Sequence, residues 1–591
     1  MSRTERNKRI EEKLKRTSRL RLAIDCVVIF TCLAAALIYV GTQNTITPEP
    51  EYVYAGGTSK DVPVYLIGIP IEEDEDSEGE EAETAGGGSV QAVSVGTITR
   101  GTTVKKTLDS KELDGVRYWK VEHTGLQNPE ELYMDESNLV PAADMIVRET
   151  EVYVRTPVTI YSEAEGPAIA SFAPKGTCLK VAGYDKLLTD GSVHKYKVEY
   201  TDKKDETAEG YVYGKYLTDT QEKADAVYKK NGIYKKVKKD KYSFNLYGGK
   251  AKNLDYYPYE KPVIEGNEFC ADARAMYLNC VAATNPDQYI KLIKKTDCNA
   301  VVIDIKDGVL AWPAKTAKEW SPKSYKTAYT SRKKYKKGIN KLKDTGVYTI
   351  GRIVVFNDPI YAKDHPEDCI KYGGSAYWPS AYSRDVWEYN VRLAQEAVKE
   401  FGFDEIQFDY VRFPENSYEM SKSGKANFRN TYDEEKGQAV QNFCFYAADQ
   451  IHEAGAYFSV DVFGECAYGY MTAYGQYWPG ISNIVDAISA MPYTDHMGGG
   501  DSTWKNPYAT MKNWGKKAKK RQDYLENPAA ARTWITGYNT PYWDPVVNYG
   551  KKELKAQIKG LKDAGLEGGF IPWNAYNDLG KYKQYKDIWN K

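Results

Sequence analysis

Histidine and cysteine are scarce in this sequence: five and nine in 591 residues. His123 and His194 fall in β-patterned stretches and His452 in a helical one, which leaves His365 and His496 on candidate loops. No His-x-x-x-His or His-x-x-Glu-His spacing occurs, which argues against a zinc amidase or deacetylase, and no metal is expected. Cys26 and Cys32 lie in the hydrophobic N-terminal segment. The other seven (Cys178, Cys270, Cys280, Cys298, Cys369, Cys444 and Cys466) are odd in number, and their spacings match neither a disulfide framework nor a zinc site. They are expected as small buried hydrophobes, with Cys270–Cys280 the one pair close enough in sequence to suggest a bridge. An excess of one charge is also missing: 81 Lys and Arg against 82 Asp and Glu give a net charge of −1. No global field draws the chain to nucleic acid, and no nucleic-acid partner is expected. Phe is sparse at 15, whereas there are 50 Tyr and 12 Trp. Those two side chains combine a flat apolar face with a polar edge, suited equally to sugar stacking and to wet β-rich surfaces.

Long apolar runs are absent apart from residues 22–40, which carry one charge, Asp25. That length spans a bilayer as a helix. Arg3, Arg6, Lys8, Arg9, Lys13, Lys15, Arg16, Arg19 and Arg21 precede it. The asymmetry predicts a cytoplasmic segment at 1–21, a transmembrane signal anchor at 22–40 and everything beyond on the outer side of the cell membrane. A cleaved signal peptide needs a small-residue site after its apolar core. Here Ala34, Ala35 and Ala36 lie inside the core, followed by Leu37, Ile38 and Tyr39, which favours the uncleaved anchor.

Residues 60–219 contain an internal repeat. Val62–Leu66, Thr97–Lys105, Val116–Glu122, Leu132–Met134 and Asn138-Leu139 are matched by Thr156–Tyr161, Phe172–Lys180, Val193–Glu199, Gly210–Tyr213 and Tyr216-Leu217. Short alternating strands between Gly, Asp and Asn turns read as small all-β barrels at 60–141 and 150–219. The order "x-x-Gly-Thr-x-x-Lys, Tyr-Lys-Val-Glu, Gly-Tyr-Val, x-Leu" resembles bacterial SH3-like modules, and that resemblance implies either attachment to wall peptides or simple spacing. The first copy carries an insertion at 71–88, acidic and then Gly-rich, that cannot bury a core and is expected to be disordered. Residues 220–270, rich in Lys and Tyr, are expected to link the modules to the C-terminal region.

From 271 to 591 apolar runs of strand length alternate with helical stretches, the pattern of βα units around a parallel sheet. Strands are expected at 275–278, 300–304, 347–356, 405–409, 457–462, 487–491, 533–538 and 569–573. Helices are expected near 284–296, 333–345, 384–401, 437–454, 505–525 and 550–564. Eight strands over this length predict an α/β fold, a (β/α)8 TIM barrel. The alternative, a doubly wound open sheet, calls for a Gly-rich phosphate turn after the first strand. Leu278-Asn279-Cys280-Val281 is not one, and no cofactor is expected.

In such barrels chemistry gathers at the C-terminal strand ends, and carboxylates stand at several of them: Asp304, Asp409, Asp461 and, after the sixth strand, Asp495. Strand alternation turns Ile406, Phe408, Val460 and Val462 toward the helices, and so turns Gln407, Asp409, Ser459 and Asp461 inward. Strands four and five are expected as neighbours, which pairs Asp409 with Asp461 across one cleft. Two carboxyls at a barrel mouth suit glycoside hydrolysis, one as acid and the other as nucleophile or base. Mutual repulsion raises the pKa of one of them and helps it stay protonated. Glu465 competes with Asp461 as the second acid. Asp304 has a structural reading, with Lys306 as its partner. Arg412 is a candidate to bind substrate or hold Asp409 ionised, or else to pair with Glu415. Tyr493, His496 and Trp573 are candidate sugar contacts, each with plain packing as the alternative.

Residues Ala273 to Trp589 resemble a bacterial family of TIM-barrel glycoside hydrolases that is distantly similar to α-amylase-like barrels. The resemblance rests on Val302–Lys306, Gly351–Phe356, Ile406–Pro414, Ser459–Gly464 and Met491–Tyr493. It implies a strand-four nucleophile, which falls on Asp409, and a strand-five acid that is normally Glu, where this chain has Asp461. The implied partner is a carbohydrate polymer or peptidoglycan, cleaved outside the cell.

Overall fold

The computed structural model describes residues 52–70, 90–123, 131–202, 204–228, 245–497 and 503–590. The expected span at 22–40 and the acidic insertion at 71–88 lie outside these residues. Among the described residues no helix is long and apolar enough to cross a membrane. The chain divides into two compact units, Met1–Ile146 and Val147–Lys591.

The described residues of the N-terminal unit form one seven-stranded antiparallel sheet. Its period-two pattern puts Val53, Val62, Val64, Ile98, Val104, Val121 and Met134 into a common core. Thr103–Leu113 turns into Val116–Glu122 through Asp114-Gly115, both at positive φ, the conformation a tight hairpin asks of an Asp-Gly pair. The second unit opens with another seven-stranded sheet. With the strands of each copy numbered from its own first, the spatial order is 3-2-6-5-4-1-7 in both, so the sequence repeat is a repeat of topology. Each copy opens with a short strand that the sequence pattern did not include, Tyr52–Ala55 and Glu151–Val154. The first copy therefore starts ahead of residue 60.

The second copy is fastened to the C-terminal barrel through the helix Lys436–Glu453. Tyr216 donates its hydroxyl proton to Asp449 (2.9 Å), Lys215 pairs with the same carboxylate (2.6 Å), and buried Lys195 pairs with Glu453 (2.7 Å). The expected linker is, over residues 245–270, a packed strap instead. Ala251, Leu254 and Tyr256 are buried against Met471, Tyr477 and Leu525.

The barrel strands are β1 Ala273–Leu278, β2 Ala300–Asp307, β3 Tyr348–Val354, β4 Glu405–Asp409, β5 Tyr457–Phe463, β6 Ala487–Met491, β7 Ala530–Thr536 and β8 Gly569–Trp573. Each pairs in parallel with the next, and β8 closes on β1 through Ala273–Gly569 and Arg274–Phe570, so the open-sheet alternative is excluded. Closure is tight at Gly569: its φ is +95°, and a Cβ there would lie 2.2 Å from the Ala273 carbonyl oxygen. The expected helix at 284–296 is two pieces, Cys280–Thr284 and Asp287–Ile293, separated at Asn285-Pro286 because proline removes a backbone donor. Helix Arg384–Phe401 has the ends its sequence predicts: Ser383 caps the first turn and Gly402 terminates it in the left-handed region.

Alternation sorts the side chains as expected. Ile406, Phe408, Val460 and Val462 join the core between strands and helices. Ala275, Tyr277, Val302, Ile350, Trp534 and Ile571 form a separate cluster inside the barrel. Polar groups line the interior too. At the N-terminal end Glu405 and Arg532, both fully buried, form an ion pair (2.7 Å); one level up Gln407 donates to Ser489 (3.0 Å). All seven described cysteines are free; Cys298, Cys369, Cys444 and Cys466 are buried, and Cys270 and Cys280 are not bridged.

Candidate active site

The top of the barrel interior is organised around Arg352, a β3 residue on the same face as Ile350. Its guanidinium is buried (3% exposed) and reaches four carboxylates. Nη2 and Nε donate to Asp409 Oδ2 (2.6 and 3.2 Å), while Nη1 donates to Asp304 Oδ1 (2.7 Å) and Asp307 Oδ2 (3.1 Å). Nε also stands 3.7 Å from Asp461 Oδ2. The Asp409 and Asp461 oxygens that share Nε can be no further apart than those two contacts laid end to end, about 6.9 Å. Asp409 ends β4, and its Oδ1 accepts from the N–H of Tyr410 (2.6 Å). Tyr410 has φ +57°, a left-handed conformation that a bulky side chain rarely adopts, so the backbone turns sharply just after the carboxylate.

One cation among four acids leaves an excess of negative charge, and burial decides where protons stay. Asp461 is fully buried. Desolvation, then the charge of Asp409, pushes its pKa well above the ordinary carboxylate value, against Arg352 and the Trp534 indole N–H that donates to Oδ1 (2.8 Å). Its other oxygen, Oδ2, is buried without a hydrogen-bond partner, the place a carboxylic acid proton would occupy. Asp304 is raised to about 6 by desolvation, opposed by Arg352, and also accepts from the Tyr277 hydroxyl (2.5 Å). Tyr493 is close enough that Asp409 and Asp461 add to the desolvation holding its phenol well above the usual value.

The fold thus gathers Asp409, Asp461, Asp304, Tyr493 and Trp573, with the His496 ring edge-on to Tyr493 (5.7 Å), and sets Arg412 and Glu465 to other partners. Arg412 is buried over the Phe463 ring and bonds the Phe413 carbonyl (3.0 Å) and Glu415 (3.1 Å), so Asp409 takes its cation from Arg352 instead. Glu465 accepts from the Tyr470 and Tyr474 hydroxyls (2.6 and 2.7 Å) in the turn after β5. Asp495 accepts from Tyr538 (2.7 Å) and His496 (3.0 Å). Desolvation raises the Asp495 pKa, but those two hydrogen bonds outweigh it and hold it below the ordinary value; the same Asp495 bond raises that of exposed His496. Trp573 packs on Tyr277 (4.8 Å) and Trp534 (5.4 Å), with Arg352 5.7 Å over its ring. Lys306 does not partner Asp304. A register shift between the two turns it out of the barrel, where it pairs with Asp358 and Asn390 (both 2.8 Å). Sequence reasoning gave no role to Arg352 or Asp307. Alternation was the available signal for Arg352, since it places a charge inside an otherwise apolar strand where only an acid can satisfy it.

No curated protein matches the chain. A solved hypothetical protein from Ruminiclostridium thermocellum shares 30% identity over 32% of this chain and 97% of its own length, with a TM-score of 0.26. The PgaB (BpsB) glycoside hydrolase domain from Bordetella bronchiseptica matches at 11% identity over 54% of this chain and 99% of its own, TM-score 0.39. The Bacillus cereus spore cortex-lytic enzyme SleL matches at 12% identity over 53% and 74%, TM-score 0.30. Residues 275–579, more than half of the chain, match the family described as "Putative glycosyl hydrolase domain", and the chain belongs to that family.

Proposed function

We propose that this protein is a membrane-anchored, extracytoplasmic glycoside hydrolase that cleaves a polysaccharide or cell-wall glycan with Asp409 and Asp461. The observation that carries the reading is the unlike setting of two neighbouring carboxyls. Both oxygens of Asp409 accept hydrogen bonds, from Arg352 and from the Tyr410 N–H. Asp461 lies one strand over, where burial and then the charge of Asp409 push its pKa up and favour the acid form. Asp409 then attacks the anomeric carbon or activates a water, while Asp461 gives its proton to the leaving oxygen. A strand-four nucleophile also agrees with the α-amylase-like resemblance of the strand.

The burial of Asp461 favours a second reading of the acid. A proton donor must reach the leaving oxygen, and Asp461 has no exposed surface, whereas the Asp307 side chain is 45% exposed and bonded to the same arginine. In that reading Asp307 is the acid and Asp461 holds Asp409 in place. The two repeated sheets are, on this proposal, SH3-like modules that hold the barrel near the wall, the second also bracing it.

The test is turnover of a glycan panel that includes wall fragments, by the native chain and by the Asp409→Asn, Asp461→Asn and Asp307→Asn variants. Asp409→Asn should lose about a thousandfold or more in kcat while keeping its circular dichroism and sugar affinity. Of the other two, the acid is the one whose loss removes the alkaline limb of the pH–rate profile. Full activity in Asp409→Asn refutes the assignment. Binding without product across the panel by the native chain would instead make this a glycan-binding scaffold.

A further inference from the structure

A cavity opens among the loops that follow β3 and β4 and the strap at 245–270. We propose that this cavity, walled by Tyr247, Tyr382, Ser421, Asn427, Phe428 and Lys436, is a subsite for a carboxylate carried on a sugar ring. It encloses about 540 Å³, within the range of small-molecule pockets.

Lys436 is the reason to assign an anion. It is only 4% exposed and makes no ion pair among the described residues. Its ammonium donates to Ser421 Oγ (2.7 Å) and, at 3.4 Å, to the Ser417 carbonyl. Burial alone pushes its pKa down to about 8, and no nearby carboxylate offsets that. It is also the first residue of helix Lys436–Glu453, the end where the helix dipole disfavours a cation. The two acids before it are engaged elsewhere: Glu434 with Arg384 (2.8 Å) and Asn442 (2.7 Å), Glu435 with the Lys250 N–H (2.8 Å) and as the cap of its own helix. The Phe428 ring, 4.5 Å from the ammonium, compensates the charge only in part. A buried cation placed against the dipole and left without a counter-ion is costly to the fold, and an incoming anion removes that cost.

The rest of the wall says which anion. Ser421 accepts from the lysine, so its own O–H remains to donate. The Asn427 side-chain oxygen accepts from the Arg429 N–H (2.9 Å), while its amide nitrogen has no acceptor among the described residues. One acid, Glu435, also lines the cavity, but its carboxylate is taken up by the Lys250 N–H and the first turn of its own helix; beside it stand three kinds of donor, a single cation and no arginine, which suits one negative charge rather than two. Tyr247, Tyr382 and Phe428 add the apolar faces that a pyranose ring stacks against. A uronic acid meets all three demands: one charge, flanking hydroxyls and a stacking face. This deepens the proposed function by naming an acidic glycan as substrate class, and rests on that reading only for the link to hydrolysis.

Calorimetric titration of the full chain with glucuronic acid, glucose and inorganic phosphate tests it. Glucuronate should bind at least tenfold more tightly than glucose or phosphate. Lys436→Met should erase that preference without lowering the melting temperature, and Asp409→Asn should retain it, so that failure of the hydrolase assignment leaves this result standing. Should Lys436→Met fold poorly, Ser421→Ala serves in its place, with glucuronate binding weakened several-fold and glucose binding unchanged. Equal affinity for the two sugars, a preference that survives Lys436→Met, or phosphate binding as tight as glucuronate would overturn the proposal.

Discussion

Replacing Arg352 by methionine removes the one cation of the upper barrel and leaves a chain of similar length in its place. The guanidinium is bonded to Asp409 and Asp304, which are 4% and 3% exposed, and to half-exposed Asp307. Removing one partner of a buried ion pair costs about 3–5 kcal/mol, because the remaining charge has neither water nor counter-ion. Two buried acids lose their partner together, so the cost at pH 7.5 should lie near the upper end, about 5 kcal/mol. Those acids can escape by taking up protons, at about 1.4 kcal/mol for each pKa unit. Asp304 shows the direction, since it already stands at about 6 against a reference of 3.8 with the arginine present. A carboxyl raised in the folded state contributes stability that is complete below its unfolded pKa and is lost as pH rises through the folded one. Without Arg352 the folded value of Asp304 rises above 6, so the variant's deficit should grow with pH from about 6 upward. Urea unfolding at pH 4.5 and 7.5, followed by tryptophan fluorescence, measures it. Trp119 is the only one of the 12 tryptophans outside the second unit, so the signal reports the barrel unit. The difference from the native chain should shrink by about 2 kcal/mol or more at the lower pH. A deficit below about 1 kcal/mol at pH 7.5, or one that does not change with pH, would refute the electrostatic account of the site.

Two other perturbations separate the site from its scaffold. Trp534→Phe removes the hydrogen bond that lowers the Asp461 pKa, so that pKa should climb further and an alkaline limb set by Asp461 should move to higher pH; an unmoved limb would exclude Asp461 as the acid. Glu405→Ala strands the fully buried Arg532 at the opposite end of the barrel, and urea unfolding should show a loss of about 3–5 kcal/mol. The fraction that stays folded should keep the native kcat, and a selective loss of kcat would place Glu405 in the chemistry.

Where a pattern is local, the sequence carries it. The eight strands lie close to their expected positions because period-two apolar runs bounded by helices have few other solutions, and alternation places Asp409 and Asp461 inside for the same reason. What escapes depends on contacts between distant segments. The register shift in β2 is a backbone irregularity that no residue type announces, and with it the expected Asp304–Lys306 pair becomes two separate ones, Asp304 with Arg352 and Lys306 with Asp358. Arg412, two residues past the left-handed Tyr410, turns away from Asp409 because the chain has already bent. The strap at 245–270 reads as a linker in the sequence because its docking residues, Ala251, Leu254 and Tyr256, fall at unequal spacings that set no period.

The two polar ends of the barrel interior make the remaining argument for function. At the lower end one acid meets one base, Glu405 with Arg532, and Ser459 adds a hydrogen bond to the same carboxylate. That charge is balanced, so the pair can be closed off inside the barrel and serve the fold alone. At the upper end Arg352 faces Asp304, Asp307, Asp409 and Asp461, and only Asp307 keeps much contact with water. A scaffold gains nothing from acids in excess of bases, because each extra buried carboxyl must either hold a proton or be stabilised by something the fold does not supply. Here burial favours the protonated form at both Asp461 and Asp304, whose pKa values it pushes up, the latter to about 6. Protonated carboxyls beside an ionised one are what a sugar acetal needs to break, a proton for the oxygen that leaves and a negative charge for the carbon it leaves behind. On the proposed function, the charge imbalance at the upper end is where the chemistry falls, and the balanced pair at the lower end is its support.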